Sequence, residues 1–192
     1  MPVVEGKHLD PFRVALDRVR YSIRPADARR LLRSDRHQRP RLAYRDVAGS
    51  TNRTTLIAAI LPAGTTSTHT VFCLRSLFPL RAQCFLCALF NSFVVNYLVR
   101  LRVTTHVTTA TVEQLPIPTA EAVPSAFKEI AVLGRLLTTR FDRDAFAFLN
   151  ARVAALYQLS ADEFRHILDT FPLVAAEERD ASFRAFTSGR NR

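Results

Sequence analysis

The stretch from Cys84 to Pro118, CFLCALFNSFVVNYLVRLRVTTHVTTATVEQLPIP, most constrains what this chain can fold into. Its first half is apolar on nearly every face: Phe85, Leu86, Leu89, Phe90, Phe93, Val94, Tyr97, Leu98 and Leu101 leave only Asn91, Ser92 and Asn96 as polar interruptions. A helix that is apolar all round has to be enclosed by other structure, so the pattern predicts a buried central helix running from about Leu80. The second half is β-branched, with Val103, Thr104, Thr105, Val107, Thr108, Thr109, Thr111 and Val112, and it stops at Pro116 and Pro118. That composition predicts an extended segment after the helix. The interval between Arg81 and Arg100 is nearly long enough to cross ~30 Å of hydrocarbon. Gln83, Asn91, Ser92 and Asn96 interrupt it and arginines flank both ends without asymmetry, so a core helix is the expected reading and no membrane partner is expected.

Upstream, Val3 to Lys7 predicts a short strand ended by Asp10-Pro11. Pro25 to Arg33 predicts a short basic helix with Pro in its first turn. Arg41 to Val47 and Thr55 to Leu61 read as two strands around a turn-rich loop, Ala48 to Thr54, and His69 to Leu74 as a third. After Pro118 the period becomes helical: Ala126 to Thr139, Asp144 to Leu159, and Ser160 to Asp169, the last opened by the capping box Ser160-Ala-Asp-Glu163. Glu177 to Arg192 reads as a charged tail with one further turn near Phe183 and Phe186. The expected class is α+β: a mixed domain over residues 1–118 built on the buried helix, then a helical region over 119–192 packed on it or on a partner.

Charge separates the two parts. The net charge is +10, and ten arginines between Arg18 and Arg45 face only Asp27 and Asp35, a local excess of eight. From Thr119 to Arg192, ten basic side chains meet ten acidic ones, which reads as a packing or interaction region. Arg29, Arg30 and Arg33 lie three and four apart, so at least two share a helix face suited to a polyanion or to bulk water. Arg45, Asn52 and Arg53 in or beside the loop are side-chain types that read purine edges in the major groove, and equally types that fill a plain polar hairpin.

Chemistry is harder to find. The five glycines are scattered and build no nucleotide or S-adenosylmethionine loop, and neither GxSxG nor HExxH is present. The five histidines lack ligand spacing. Glu5-x-Lys7 has no aspartate before it, so it does not complete a nuclease metal site. Cys84 and Cys87 have CxxC spacing, but no second pair or histidine completes four ligands, so core packing of reduced thiols is expected. No catalytic residue, metal or cofactor is therefore assigned. Met1 to Asp10 mixes Glu5, Lys7 and Asp10 with apolar residues and carries no export pattern, which gives a cytoplasmic expectation.

Four phrases in order resemble a known family. Arg41-Leu-Ala-Tyr-Arg-Asp-Val-Ala48 with Thr51-Asn-Arg-Thr-Thr-Leu-Ile-Ala-Ala-Ile-Leu-Pro62 is similar to the target-recognition region of large adenine-specific DNA methyltransferases, notably type IIG restriction-modification enzymes and phage-defence methylases. Leu89-Phe-Asn-Ser-Phe-Val-Val-Asn-Tyr-Leu-Val-Arg100 with Val112-Glu-Gln-Leu-Pro-Ile-Pro118 resembles that family's buried helix and its closing phrase. Asn150 to Ser160 and His166-Ile-Leu-Asp-Thr-Phe-Pro172 resemble its C-terminal phrases. The family's cofactor glycine motif, its Asn-Pro-Pro-Tyr motif and any nuclease domain are missing from this sequence. The resemblance thus implies a double-stranded DNA recognition module without catalysis of its own, served by a separate methyltransferase or endonuclease chain. The alternative is an assembly subunit or structural remnant that binds such a chain through its C-terminal helices. The DNA-binding set expected from residues and resemblance together is Arg29, Arg30, Arg33, Arg41, Arg45, Asn52, Arg53, Arg100 and Arg102. Of these, Arg100 and Arg102 either approach the DNA backbone or cap helix carbonyls.

Overall fold

A computed structural model describes residues 1–32, 34–47, 52–76, 78–103 and 105–190. The fold is α+β. The short strands β1 (Val3–Val4), β2 (Leu9–Asp10) and β3 (Arg13–Val14) come first, followed by α1 (Pro25–Leu32). Then come β4 (Arg41–Arg45), β5 (Ala58–Leu61), β6 (Thr66–Ser67) and β7 (Val71–Cys73). Strand β4 is the middle of an antiparallel sheet ordered β5-β4-β7, with Tyr44 opposite Ala58 and Phe72. Strand β1 pairs in parallel with β6, and β2 with β3 as a tight hairpin. In that hairpin Phe12 takes a positive φ of 67°, a conformation disfavoured for a residue with a Cβ. Its ring is buried edge-on against Phe146, which holds the turn in place.

The expected strands shorten where side chains claim the backbone. Thr55 and Leu56 donate their N–H groups to Asn96 Oδ1 (2.9 and 2.8 Å), so β5 begins only at Ala58. The expected Val3–Lys7 strand is cut short by a 3-10 turn, Gly6–His8, and Glu5 pairs locally with Lys7 at 2.9 Å.

The apolar run departs from its expected single helix. It forms α2 (Leu80–Asn91) and α3 (Phe93–Arg100), bent by 62° at Ser92. Ser92 is extended, its hydroxyl donating to Leu89 O and accepting from Val95 N, so one side chain ends α2 and caps α3. No single helix among the described residues is long and apolar enough to cross a membrane. The β-branched segment after α3 is also not the expected strand. Among the described residues it contributes one bridge, His106 to Val47, and then Thr108 caps the short helix α4 (Thr109–Glu113). A hydroxyl placed to accept Thr111 N–H outweighs the β preference of the threonines around it.

The C-terminal part is α5 (Pro124–Thr139), α6 (Arg143–Leu156), α7 (Ala161–Asp169) and α8 (Ala176–Arg190). The Ser160–Glu163 capping box forms as the sequence predicts. The segment read as a charged tail is instead a full helix, anchored by Phe186 and Ser182. Helix α5 lies against α2 so closely that a Cβ on Gly134 would sit 2.2 Å from Cys84 O. One core joins Tyr44, Phe90 and Phe93 to Leu137, Phe164, Phe171 and Phe186. The described residues before and after Pro118 therefore share an interior, and the C-terminal helices pack on the chain's own first part.

Three buried asparagines fix this arrangement. Asn91 accepts from Ala58 N and donates to Ala58 O, meeting the edge of β5 as a neighbouring strand would. Asn96 joins the approach to β5 with the bend, donating to Phe90 O and Ser92 O. Asn150 of α6 accepts from Phe93 N, the first residue of α3. Each polar atom is matched in the interior, which is why the polar interruptions of an otherwise apolar run do not destabilise it.

Candidate nucleic-acid interface

The basic stretch runs through α1, a 3-10 turn (Asp35–Gln38) and into β4. Arg18, Arg20, Arg24, Arg29, Arg30, Arg36 and Arg39 are exposed, while Arg41 and Arg45 are half-buried. Arg24 and Arg30 share Asp27, at 2.8 and 3.9 Å. Among the described residues no carboxylate lies within 4.0 Å of the side chains of Arg18, Arg20, Arg29, Arg36, Arg39, Arg41 or Arg45. The second half is neutral in a different manner: Arg152 meets Glu129 at 2.6 Å, Arg165 meets Asp180 at 2.8 Å and Arg179 meets Asp169 at 3.5 Å. Positive charge is in excess in the first region, where two acids accompany ten arginines, and is balanced by an equal number of acids in the second.

Of the residues expected to touch DNA, those that are described divide between open positions and internal partners. Arg29 and Arg30 are exposed on α1, and Arg33 lies outside the described residues, as do residues 48–51 of the loop. Arg45 passes its Cγ over Gly6, and Asn52 is exposed. Arg53 is drawn instead to Glu178 of α8, at 2.5 Å. Arg100 is committed inward. Its guanidinium donates to Asn52 O, to Arg53 O (3.1 Å), to Thr170 O (2.7 Å) and to Thr55 Oγ1 (3.1 Å), and lies 4.1 Å over the Phe171 ring. Burial lowers its pKa from the usual arginine value. Arg100 thus ties the Asn52–Thr55 turn to the end of α7, and its bond to Thr170 O is that of a helix-end cap, the second of its two expected roles. Arg102 donates to Leu98 O at 2.9 Å and serves as a helix-end cap, the other of its two expected roles.

The structure adds a pocket that the sequence did not mark. It lies where the end of the basic stretch meets the start of α2, has a volume of about 320 Å³, and is lined by Arg36, Arg39, Arg41 and Arg75 with Gln83 and Phe78 among others. Arg75 stands alone in the sequence, thirty residues from Arg45, and no local pattern signals that it joins Arg36, Arg39 and Arg41. Only the antiparallel return of β7 beside β4 brings it there.

The cysteines lie in or near the core. Cys84 and Cys87 are buried, and burial raises both pKa values, which keeps the thiols protonated and weakly nucleophilic. His106 sits 3.3 Å from Asp46, and His166 packs edge-on against Tyr97. Among the described residues no group of three or more His, Cys, Asp or Glu is placed to hold a metal ion.

No protein-family model matches this chain, and neither a curated protein nor a solved structure does.

Proposed function

We propose that this chain recognises duplex DNA as the specificity part of an adenine-specific methyltransferase or restriction-modification system in the cytoplasm, with catalysis carried by a separate methyltransferase or endonuclease chain. The observation that supports the reading is electrostatic. Among the described residues, Arg18, Arg20, Arg29, Arg36, Arg39, Arg41 and Arg45 have no acidic partner within 4.0 Å, and Asp27 and Asp35 are the only acids in the sequence between Arg18 and Arg45. A cationic surface without internal partners gains free energy when it replaces the counterions condensed on a polyphosphate. Arg29, Arg30 and Arg41 are the phosphate contacts in this reading, and Asn52 and Arg45 the nearest candidates for base edges. Arg53 would have to leave Glu178 to join them. Val132 and Leu136, 65% and 47% exposed one turn apart on α5, offer an apolar surface to the catalytic chain, and they also favour the second reading of an assembly subunit.

Binding to a randomised duplex library across a salt series tests the proposal. With four or more phosphates contacted, log K falls with log salt at a slope of about −4 or steeper, and a preferred sequence survives selection. A flat salt response removes the DNA reading. Recovery of a methyltransferase chain on purification after nuclease digestion, without duplex affinity, favours the assembly subunit.

A further inference from the structure

We propose that the pocket between the basic stretch and α2 is a nucleotide-phosphate subsite, with the phosphate held by Arg36, Arg39, Arg41 and Arg75 and the nucleoside's apolar face against Phe78. The inference deepens the DNA reading, because a backbone phosphodiester and a free nucleotide present the same group to it. Four arginines line one cavity, and no acidic residue lines it among the described residues. Such a cluster repels itself unless an anion sits among the charges. Arg41 is held at the start of β4 by Nη2 donating to Thr65 O at 2.9 Å, which leaves its Nη1 buried and without an acceptor among the described residues. Gln83, only 8% exposed, donates to Phe78 O (2.8 Å) and Pro40 O (3.3 Å) and so fixes both walls of the pocket. Its Oε1 is buried without a donor among the described residues.

Both atoms are sealed inside the wall, and the exposed side chains on the cavity include those of Arg36, Arg39, Arg75 and Phe78. Phosphate oxygens pair with several guanidinium groups at once, each able to donate two N–H groups to one phosphate. Phe78 is 41% exposed beside them, a ring free to take the face of a base or sugar. Helix α2 adds to the same place, since Pro79 opens it without a side-chain cap and Leu80 lines the pocket. The volume of about 320 Å³ suits one nucleotide unit rather than a bare ion.

The test uses the full chain and three probes: inorganic phosphate, adenosine 5′-monophosphate and a short duplex. The pocket variant is Arg36→Gln/Arg39→Gln/Arg75→Gln, at three positions exposed enough to leave the fold intact. A matched variant, Arg13→Gln/Arg18→Gln/Arg20→Gln, removes equal charge at exposed positions outside both the pocket and the expected DNA-binding set, and thermal melts check both. Loss of about tenfold or more in affinity for the mononucleotide in the pocket variant, against less than about twofold in the matched one, supports the subsite with a free nucleotide as its source. Inorganic phosphate then competes. If only the duplex binds, the same contrast between variants supports the subsite with the DNA backbone as its source. If the duplex loses affinity equally in both variants and no mononucleotide binds, the subsite is overturned and the DNA reading stands. A mononucleotide that binds in the pocket while the duplex does not keeps the subsite and removes the DNA reading. No binding of any probe overturns both.

Discussion

Replacing Asn96 by leucine makes the buried run more apolar, and it is expected to destabilise the protein severely. Asn96 is fully buried, and its Oδ1 is shared by the N–H groups of Thr55 and Leu56 at 2.9 and 2.8 Å. Its amide also donates to Phe90 O and Ser92 O, although Ser92 O keeps the backbone N–H of residue 96. Leucine leaves two buried donors without that oxygen, and each orphaned donor costs about 1–3 kcal/mol, giving about 2–6 kcal/mol for the pair. The branched side chain has no room to recover this through packing, because the site is already closed and overpacking costs about 1–3 kcal/mol more. The expected net loss of about 4 kcal/mol is large beside a total stability of roughly 5–15 kcal/mol. Urea unfolding followed by far-ultraviolet circular dichroism reads it as a lowered midpoint at similar slope. Leu101→Asn, at a position 64% exposed, is the control and is expected to change stability by less than about 0.5 kcal/mol. An Asn96→Leu protein within about 1 kcal/mol of the native one would falsify the claim that this amide stands in for a strand partner.

Other perturbations have equally definite outcomes. Gly134→Ala puts a methyl 2.2 Å from Cys84 O, a backbone atom, so α5 and α2 must separate. A cost of about 2–3 kcal/mol is expected, seen as a melting point lower by roughly 5–10 °C, and an unchanged melting point would contradict the close approach. Arg100→Lys cannot reach Asn52 O, Thr55 and Thr170 O at once, so hydrogen exchange in the Asn52–Leu56 backbone is expected to speed up, with a loss of about 2 kcal/mol. Tyr44 is buried, and burial pushes its pKa up to about 12, with Glu113 and Asp46 adding to the shift. The unfolded ring ionises near pH 10 while the folded one stays neutral. The stability from Tyr44 is therefore complete below pH 10 and is lost as pH rises toward 12, by up to about 3 kcal/mol, and Tyr44→Phe flattens that alkaline limb of a pH–stability curve.

Much of the fold is legible where a local signal is also the physical cause. Pro25 in its first turn marks α1, and Ser160 with Glu163 opens α7, because first-turn and capping signals act within a few residues. The failures are long-range. The bend at Ser92 depends on Asn91 meeting Ala58 and Asn96 meeting Thr55, contacts between residues 33 and 41 apart. The threonine-rich segment gives way to a capped helical turn, and α8 looks like a solvated tail until Phe186 and Ser182 find the α6–α7 surface. The candidate site divides in the same way. The open charge between Arg18 and Arg45 is visible in composition, but sequence spacing cannot show that Arg100 and Arg53 are committed to internal partners, or that Arg75 arrives beside Arg41.

The pairing of Asn91 with Ala58 also governs how this protein meets its own copies. Strand β5 ends the three-stranded sheet, and an outermost strand ordinarily invites another chain to extend it. Here the N–H and C=O of Ala58 are both occupied by one amide delivered from α2, and Phe12 N–H adds a second donor to the same oxygen. An incoming strand would have to evict a fully hydrogen-bonded side chain from the interior before forming its first rung. The helix thereby sets the width of the sheet and blocks, at that rung, stacking into larger aggregates.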